Sequence, residues 1–378
     1  MVYLDNAATS YPKAPGVASA MADYVEKVGA TINRSSYASA QEAGLVTLSL
    51  RERLCRLFNH PDPTHAVLTP GATAGLNMVI KGLLRPGDHC LVSSMEHNAV
   101  MRPLVQLERE GVAFERIPCD AQGRLRLEAL PGMIKLNTRL VVMAHGSNVC
   151  GTVQDAEAVG KICRERGVPF ALDAAQTAGH IEVDFERFGL SALVVPGHKG
   201  LLGPQGIGAL LLDADFARRL TPLVAGGTGS ASDSEELPNW MPDRFESGTP
   251  NMPGVYGWEA ALGWLENTGI ETLENHEKTL SKRFMEGIYG LKNVKLYGIT
   301  VPERRTGVFS VGFLNCDNAE AAWRLEREFG ILTRCGLHCA PSAHKTLGSF
   351  PEGSVRFSTG WANTEADIDA ALSAIAAI

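Results

Sequence analysis

Two side chains with complementary chemistry, Asp173 and Lys199, each follow an apolar run of the sequence. The runs VPFALD and ALVVPG are short and continuous, which predicts two buried strands of an open α/β sheet. Ligands of such sheets gather outside the carboxyl ends of the strands, so the carboxylate and the amine are expected at one site. A lysine that binds an aldehyde covalently and a carboxylate that keeps a pyridine nitrogen protonated are two halves of a pyridoxal phosphate (PLP) site.

Neither residue is informative alone, because an Asp after a strand is usually a turn or cap residue and a Lys in a Gly-rich loop is usually a solvated charge. The surroundings of Lys199 make the combination more specific, since His198 precedes it directly. Glycines around it allow a backbone to pass close to a ligand. These are Gly197, Gly200, Gly203, Gly206 and Gly208.

Three motifs carry a resemblance to a known family. DAAQ at 173–176, GHK at 197–199 and GPQGIG at 203–208 resemble the cysteine desulfurase and selenocysteine lyase branch of the class V aminotransferases. The resemblance extends from LDNAATS at residue 4 to the last helix. It implies a PLP-dependent transferase of fold type I, with Lys199 linked to the cofactor and Asp173 beside its ring nitrogen.

Strand-like and helix-like segments alternate along the chain, with a strand roughly every 20 to 30 residues. This alternation predicts an α/β fold with a mostly parallel sheet and right-handed crossovers. With the resemblance, it predicts a large PLP-binding domain over 15–255 that contains a seven-stranded-type sheet. A smaller α+β domain, which carries the nucleophilic cysteine, is predicted from 1–14 together with 256–378. A stretch rich in Gly, Ser, Pro and acidic residues, 226–253, precedes the boundary.

The segment HAVLTPGATAGLNMVIKGLL predicts a strand, a Gly-containing turn and a helix that begins with Ala72 and Thr73. Free backbone N–H groups and the helix dipole at such an end favour a phosphate. The resemblance assigns both residues to the phosphate of the cofactor. An ordinary N-cap threonine is the alternative interpretation.

One departure from the family pattern lies beside the lysine, where Pro196 takes the place of Ser or Thr. Proline offers neither a hydroxyl nor an N–H group to a phosphate. His198, Thr73 and backbone amides are therefore expected to hold more of that group.

Four further residues are implied by the resemblance to surround the cofactor ring. His97 in EHNA is implied to stack on the ring and to help move protons, and Ala175 to pack on the opposite face. Asn148 in HGSNVCG and Gln176 are implied to bind the phenolic oxygen, and Asn148 also the substrate carboxylate. Without the resemblance, a histidine or an asparagine at such positions is more often a satisfied loop or turn residue.

The segment RFESGTPN, 244–251, also matches the family. In this segment Gly248 and Thr249 are implied to contact the phosphate in the neighbouring subunit. The resemblance therefore implies a homodimer.

The segment TRCGLHCAPSAHKTLG, which begins at residue 333, resembles the short-loop, RxGxHCA form of the desulfurase cysteine segment. Cys339 is the implied nucleophile, and Arg334 is an implied substrate-binding residue. Arg356 matches the clamp for the substrate carboxylate, which a guanidinium fork binds bidentately. Arg334 and His338 are expected to favour the thiolate form of the cysteine.

Three other interpretations of Cys339 remain open from the residues alone. It is a buried structural thiol in the first. In the second it binds a metal together with Cys335, His338 and His344, although the spacing is not that of a standard zinc site. In the third it forms a redox couple with Cys335. We favour the nucleophile because the PLP residues precede it in the same chain, and we expect no metal.

Composition excludes several classes of function. The net charge is -7, without a basic stripe, so no nucleic-acid partner is expected. No apolar stretch approaches the length of a membrane span, and the N-terminus lacks the pattern of a signal peptide. The eight cysteines show no disulfide framework. These features predict a cytoplasmic protein with reduced thiols.

The expected function is that of a PLP-dependent cysteine desulfurase, which releases L-alanine from L-cysteine and stores the sulfur as a persulfide on Cys339. Selenocysteine is a possible second substrate, and a protein that accepts the sulfur is a possible partner. One alternative is a PLP-dependent aminotransferase or lyase in which the cysteine has no chemical role. Another is a persulfide carrier or scaffold that is not an enzyme.

Overall fold

The computed structural model describes residues 1–378. Its strands are β1 (Val2–Tyr3), β2 (Ala66–Thr69), β3 (His89–Ser93), β4 (Ala113–Ile117), β5 (Thr138–Ala144), β6 (Phe170–Asp173), β7 (Ala192–Pro196), β8 (Gly208–Leu212), β9 (Val294–Tyr297), β10 (Val308–Phe313), β11 (Ile331–Leu332), β12 (Arg334–Gly336) and β13 (Ser354–Ser358). Its α-helices are α1 (Val17–Asp23), α2 (Ala38–Phe58), α3 (Ala72–Leu83), α4 (Asn98–Glu108), α5 (Leu130–Met133), α6 (Ala156–Arg166), α7 (Ala214–Arg219), α8 (Met252–Thr268), α9 (Ile270–Tyr289), α10 (Asn318–Phe329), α11 (Pro341–Leu347) and α12 (Glu365–Ala377).

Seven strands form the large sheet, in the order β2-β8-β7-β6-β5-β3-β4. Only β8 runs antiparallel to its neighbours β2 and β7, whereas the pairs from β7 to β4 are parallel. The strands β6, β7 and β8 are buried along their whole length because helices cover both faces of the sheet. The predicted α/β class and the mostly parallel seven-stranded sheet are confirmed.

A second, antiparallel sheet has the order β12-β13-β10-β9. Its apolar face packs with helices α9, α10 and α12 around Phe284, Phe309 and Phe357. The N-terminal strand β1 pairs with β11, and Leu4 is buried in the same apolar cluster. Helix α8 instead buries Trp258 and its other apolar residues in a core shared with the large sheet. The domain boundary between 255 and 256 stays a prediction.

Several segments end or begin at one edge of the large sheet and so define a common region. The strands β5, β6 and β7 end there with Ala144, Asp173 and Pro196. Helix α3 begins just after Gly71, and α4 begins just after His97. None of the helices combines the length and the apolar composition that crossing a bilayer requires.

Candidate active site

Asp173 and Lys199 lie at the carboxyl end of the large sheet, as the sequence predicts, because β6 and β7 are parallel neighbours. Burial raises the pKa of the Asp173 carboxyl group, whose Oδ1 accepts a hydrogen bond from the Ala175 N–H at 2.9 Å. Burial also lowers the pKa of Lys199 to about 8, although the Asp173 carboxylate opposes this shift. Burial therefore shifts the amine towards its neutral, nucleophilic form.

Both residues line a cleft of about 590 Å³. Nine of the residues named by the sequence analysis line this cleft together: Ala72, Thr73, His97, Asn148, Asp173, Ala175, Gln176, His198 and Lys199. Pro196 also lines it. Gly248 and Thr249 instead line a neighbouring cavity of about 390 Å³, which shares Pro70 and Gly206 with the cleft.

His97 occupies the position before α4, and its Nδ1 accepts a hydrogen bond from the Ala99 N–H at 3.0 Å. Because Nδ1 accepts, the proton of the neutral ring lies on Nε2. Burial lowers the pKa of His97 to about 4, and the nearby charges of Lys199, Arg334 and Arg356 add to this shift. The ring is thus neutral and fixed in place, which suits stacking on a planar ligand.

Asn148 and Gln176 make contacts that connect the cleft to distant parts of the chain. The Asn148 side-chain Nδ2 donates to the His338 carbonyl at 2.7 Å, which leaves its Oδ1 for a ligand. The Gln176 side chain donates to the Ala7 carbonyl at 3.0 Å. Asn148 therefore links the cleft directly to the segment that carries Cys339.

Cys339 is exposed and follows β12 in an unusual backbone conformation. His338 and Cys339 have φ angles of 47° and 56°, a left-handed conformation that residues other than glycine rarely adopt. The Cys339 carbonyl accepts the Asn98 N–H at 2.8 Å, and the Arg334 guanidinium lies 3.7 Å from Sγ. Strained conformations of this kind persist only where surrounding contacts enforce them. The contacts with Asn98 and Asn148 hold this segment beside the cleft.

One sequence-based expectation about Cys339 is wrong. His338 was expected to favour the thiolate as a cation, but burial lowers its pKa to about 2, with Arg356 as the next largest cause. The ring is neutral, its Nε2 lies 3.2 Å from the Ser354 hydroxyl, and its Nδ1 is buried without a partner. Arg334 is therefore the cation that contacts the sulfur. Cys335, His338, Cys339 and His344 do not assemble into a group that could hold a metal ion.

Arg356 lies on β13 directly opposite Arg334 on β12, so the two side chains share one face of the small sheet. The Arg356 side chain is buried and forms an ion pair with Asp5 at 2.7 Å. Its second terminal nitrogen donates to the Asn148 carbonyl at 3.0 Å, and its Nε has no partner. This orphaned donor is consistent with a ligand that completes the site.

The role of the N-terminal segment was largely missed by the sequence analysis. Asp5 lies in the segment LDNAATS and is the ion-pair partner of Arg356, a role that no sequence motif indicated. The two residues lie 351 positions apart, so no local pattern connects them. Asn6 in the same segment is buried, and its side chain donates to the Ser358 carbonyl at 3.1 Å.

The cleft has the groups that PLP requires. Helix α3 begins without a side-chain cap, so its first N–H groups are free to bind a phosphate. The buried Asp173 carboxylate has no ion pair within the chain and suits a protonated pyridine nitrogen, while the Lys199 amine suits the aldehyde. His97 and Ala175 supply a neutral ring and a small side chain for the faces of a planar group.

Comparisons with known proteins agree with this architecture. The family profile of aminotransferase class V matches residues 2–371. The chain belongs to the class V aminotransferase family. A probable cysteine desulfurase from Methanothermobacter thermautotrophicus is 32% identical, over 97% of this chain and 92% of that protein. A cysteine desulfurase from Cronobacter sakazakii is 30% identical, over 98% of this chain and 91% of that protein.

Solved structures give the same result. The apo structure of a cysteine desulfurase from Thermococcus onnurineus NA1 has a TM-score of 0.93 at 31% identity and covers 100% of this chain and 94% of its own. The cysteine desulfurase CsdA from Escherichia coli has a TM-score of 0.88 at 28% identity and covers 99% of this chain and 93% of its own. The resemblance to cysteine desulfurases that the motifs indicated is confirmed.

Proposed function

We propose that this chain is a PLP-dependent cysteine desulfurase that removes sulfur from L-cysteine and leaves L-alanine. The observation that carries the proposal is the attachment of an exposed cysteine to a PLP-compatible cleft. The Asn98 N–H binds the Cys339 carbonyl, and the Asn148 side chain binds the His338 carbonyl, so the segment that carries the thiol is attached to the wall of the cleft. An aminotransferase or a lyase has no need of such a thiol.

The cofactor supplies an electron sink for the bond changes at the substrate when it is bound. Asp173 and the start of α3 would hold its two ends, and Lys199 would hold its aldehyde. Arg356 would bind the substrate carboxylate through a guanidinium that already lies beside Asn148. Lys199, with a pKa of about 8, has a neutral fraction that can take the α-proton of the substrate.

Sulfur transfer then requires a nucleophile at the substrate's sulfur. The Cys339 sulfur attacks that atom, so a sulfur–sulfur bond forms as the carbon–sulfur bond breaks. The Arg334 guanidinium, at 3.7 Å from Cys339 Sγ, would stabilise negative charge on the attacking sulfur. Cysteine and the Cys339 thiol become alanine and a Cys339 persulfide, so no external oxidant or reductant is consumed. The same arrangement would accept selenocysteine.

Three further features belong to this proposal. Gly248 and Thr249 would complete the phosphate site of the partner subunit, which requires a homodimer. The exposed position of Cys339 would let a sulfur-accepting protein reach the persulfide. The eight cysteines are unpaired, which suits the reducing conditions of the cytoplasm.

The proposal is tested with the purified chain, PLP and cysteine. The wild type should show a PLP absorbance band, retain PLP covalently after borohydride treatment, and form alanine from cysteine without a keto acid. Lys199→Ala should lose the covalent retention. Alanine formation that depends on an added keto acid would identify an aminotransferase instead, and a chain that binds no PLP would favour a carrier.

A further inference from the structure

The ammonium group of Lys13 lies at an unexpected position, against the backbone of His198, a residue that lines the cleft. Its Nζ donates to the His198 carbonyl at 2.8 Å, to Ser10 Oγ at 3.0 Å and to Thr9 Oγ1 at 3.1 Å. It forms no ion pair with a carboxylate, and the side chain is half-buried. Burial lowers the pKa of Lys13 to about 8. A partly desolvated cation without a counter-ion needs a reason to be there.

Thr9 connects this ammonium group to the His198 ring. The Thr9 Oγ1 atom accepts hydrogen bonds from Lys13 Nζ at 3.1 Å and from Gln205 Nε2 at 3.5 Å. The same oxygen lies 3.1 Å from His198 Nδ1. The Thr9 hydroxyl also donates to the His198 carbonyl at 3.2 Å, but this oxygen accepts three shorter hydrogen bonds, from Lys13 Nζ, Ser10 N and Ser10 Oγ at 2.8, 3.0 and 3.1 Å. The Thr9 hydroxyl is the only partner of His198 Nδ1 within the chain, and a hydroxyl can donate or accept there.

The contact with Thr9 fixes the orientation of the His198 ring. Burial lowers the pKa of His198 to about 4, and the charges of Lys199 and Lys13 add to this effect, so the ring is neutral and has one proton. Nε2 makes no hydrogen bond within the chain, so it is the ring nitrogen left for a ligand. An anion at Nε2 favours the tautomer that carries the proton there, and the Thr9 hydroxyl then donates to Nδ1. His198 lines the cleft together with Pro196, which has no hydroxyl to offer.

We propose that Lys13 and Thr9 form a relay that presents His198 to the cofactor's phosphate as an Nε2–H donor, in place of the hydroxyl absent at residue 196. Lys13 and Thr9 are positioning residues, since they act through His198. The proposal rests on PLP binding as proposed above. Lys13 donates to the Thr9 oxygen, which strengthens the Thr9 hydroxyl as a donor to Nδ1. Without Lys13 or Thr9, the tautomer protonated on Nε2 loses this support at Nδ1.

The relay is tested by the affinity of the apo chain for two probes, PLP and pyridoxal, which lacks the phosphate. In Lys13→Met and Thr9→Val the dissociation constant for PLP should rise roughly 10-fold or more, as for the loss of a hydrogen bond to a charged group. The dissociation constant for pyridoxal should stay unchanged. Thr9→Ser keeps the hydroxyl and should bind PLP like the wild type. Equal losses for both probes, or no loss for PLP, would overturn the relay.

A double-variant cycle separates the relay from general damage to the fold. Pro196→Ser supplies a hydroxyl at the phosphate end, so it should improve PLP affinity more in Lys13→Met than in the wild type. Equal effects in both backgrounds would contradict a shared role. Thermal unfolding of the apo variants checks that the fold is intact. A wild type that fails to bind PLP would overturn the proposed function as well, whereas wild-type binding with unaffected variants would overturn the relay alone.

Discussion

At the scale of single residues, the lysine of the cleft controls when the chain can capture its cofactor. Burial lowers the pKa of Lys199 to about 8, and only the neutral amine attacks an aldehyde. The neutral fraction therefore rises roughly tenfold per pH unit below that value and levels off above it. We expect the rate of covalent PLP capture to follow this curve in stopped-flow absorbance.

An Asp173→Asn variant provides the matched control for this pH dependence. The carboxylate raises the pKa of Lys199, so its removal should move the midpoint of the curve to lower pH. A curve that rises through the pH range of an ordinary lysine, near 10.5, would show that the amine is not desolvated.

The buried guanidinium of Arg356 gives a prediction about substrate choice. Arg356→Ala should raise KM for cysteine by roughly 10- to 100-fold, as expected for a lost hydrogen bond to a charged group. KM for cysteamine, which has no carboxylate, should change much less. Steady-state kinetics with both substrates test this. The KM of Arg356→Lys for cysteine should lie between those of the wild type and Arg356→Ala. Equal handling of the two substrates by the wild type would leave the clamp without support.

The residues of the site differ in how far the sequence could reveal them. Asp173 and Lys199 could be predicted because each follows a buried strand, and parallel neighbouring strands end at one edge. Asp5 and Thr9 could not, because their contacts join residues 351 and 189 positions apart. The neutral state of His338 also depends on burial, which its local sequence does not reveal.

At the scale of elements, the loop that carries Lys199 is fixed by close backbone contacts. A Cβ at Gly200 would lie 2.4 Å from the Ala178 carbonyl oxygen and 2.5 Å from His180 Cδ2. His180 cannot move freely, because its Nδ1 lies 2.7 Å from the Glu277 carboxylate. The strand–turn–helix at 66–83 could be predicted from periodicity, whereas this tight approach of two loops could not.

Gly200→Ala should therefore destabilise the chain by about 1 to 3 kcal/mol, as overpacking does, and slow covalent PLP capture. Urea unfolding and stopped-flow absorbance measure the two effects. Gly132→Ala is the control, since a Cβ at this exposed position of α5 meets no atom within 4 Å. Equal stability of the two variants would show that the loop that carries Lys199 can shift at little cost in free energy.

At the scale of the whole molecule, the phosphate site should need two subunits. Gly248 and Thr249 line a cavity next to the cleft instead of the cleft itself. The fold class was predictable because buried strands such as β7 and β8 are apolar throughout, but which subunit a loop serves is not encoded in any local pattern. The family resemblance alone supplied that expectation.

Mixed dimers test this expectation. Lys199→Ala and Thr249→Ala chains should each be impaired alone. A heterodimer of the two has one complete site, with Lys199 from one chain and Thr249 from the other, so about half of the wild-type activity should return. Coexpression with two affinity tags isolates the heterodimer. No recovery would indicate that Thr249 serves its own subunit.

Transfer of the substrate's sulfur to Cys339 is tested most directly by peptide mass spectrometry after brief treatment with cysteine. We expect the wild type to gain the mass of one sulfur atom on the peptide that contains Cys339. Cys339→Ser should gain none and should form alanine from cysteine roughly 100-fold more slowly, since a hydroxyl is a poor acceptor at neutral pH. Added sulfur on Cys335 or Cys150, or undiminished alanine and sulfide formation by Cys339→Ser, would contradict this assignment.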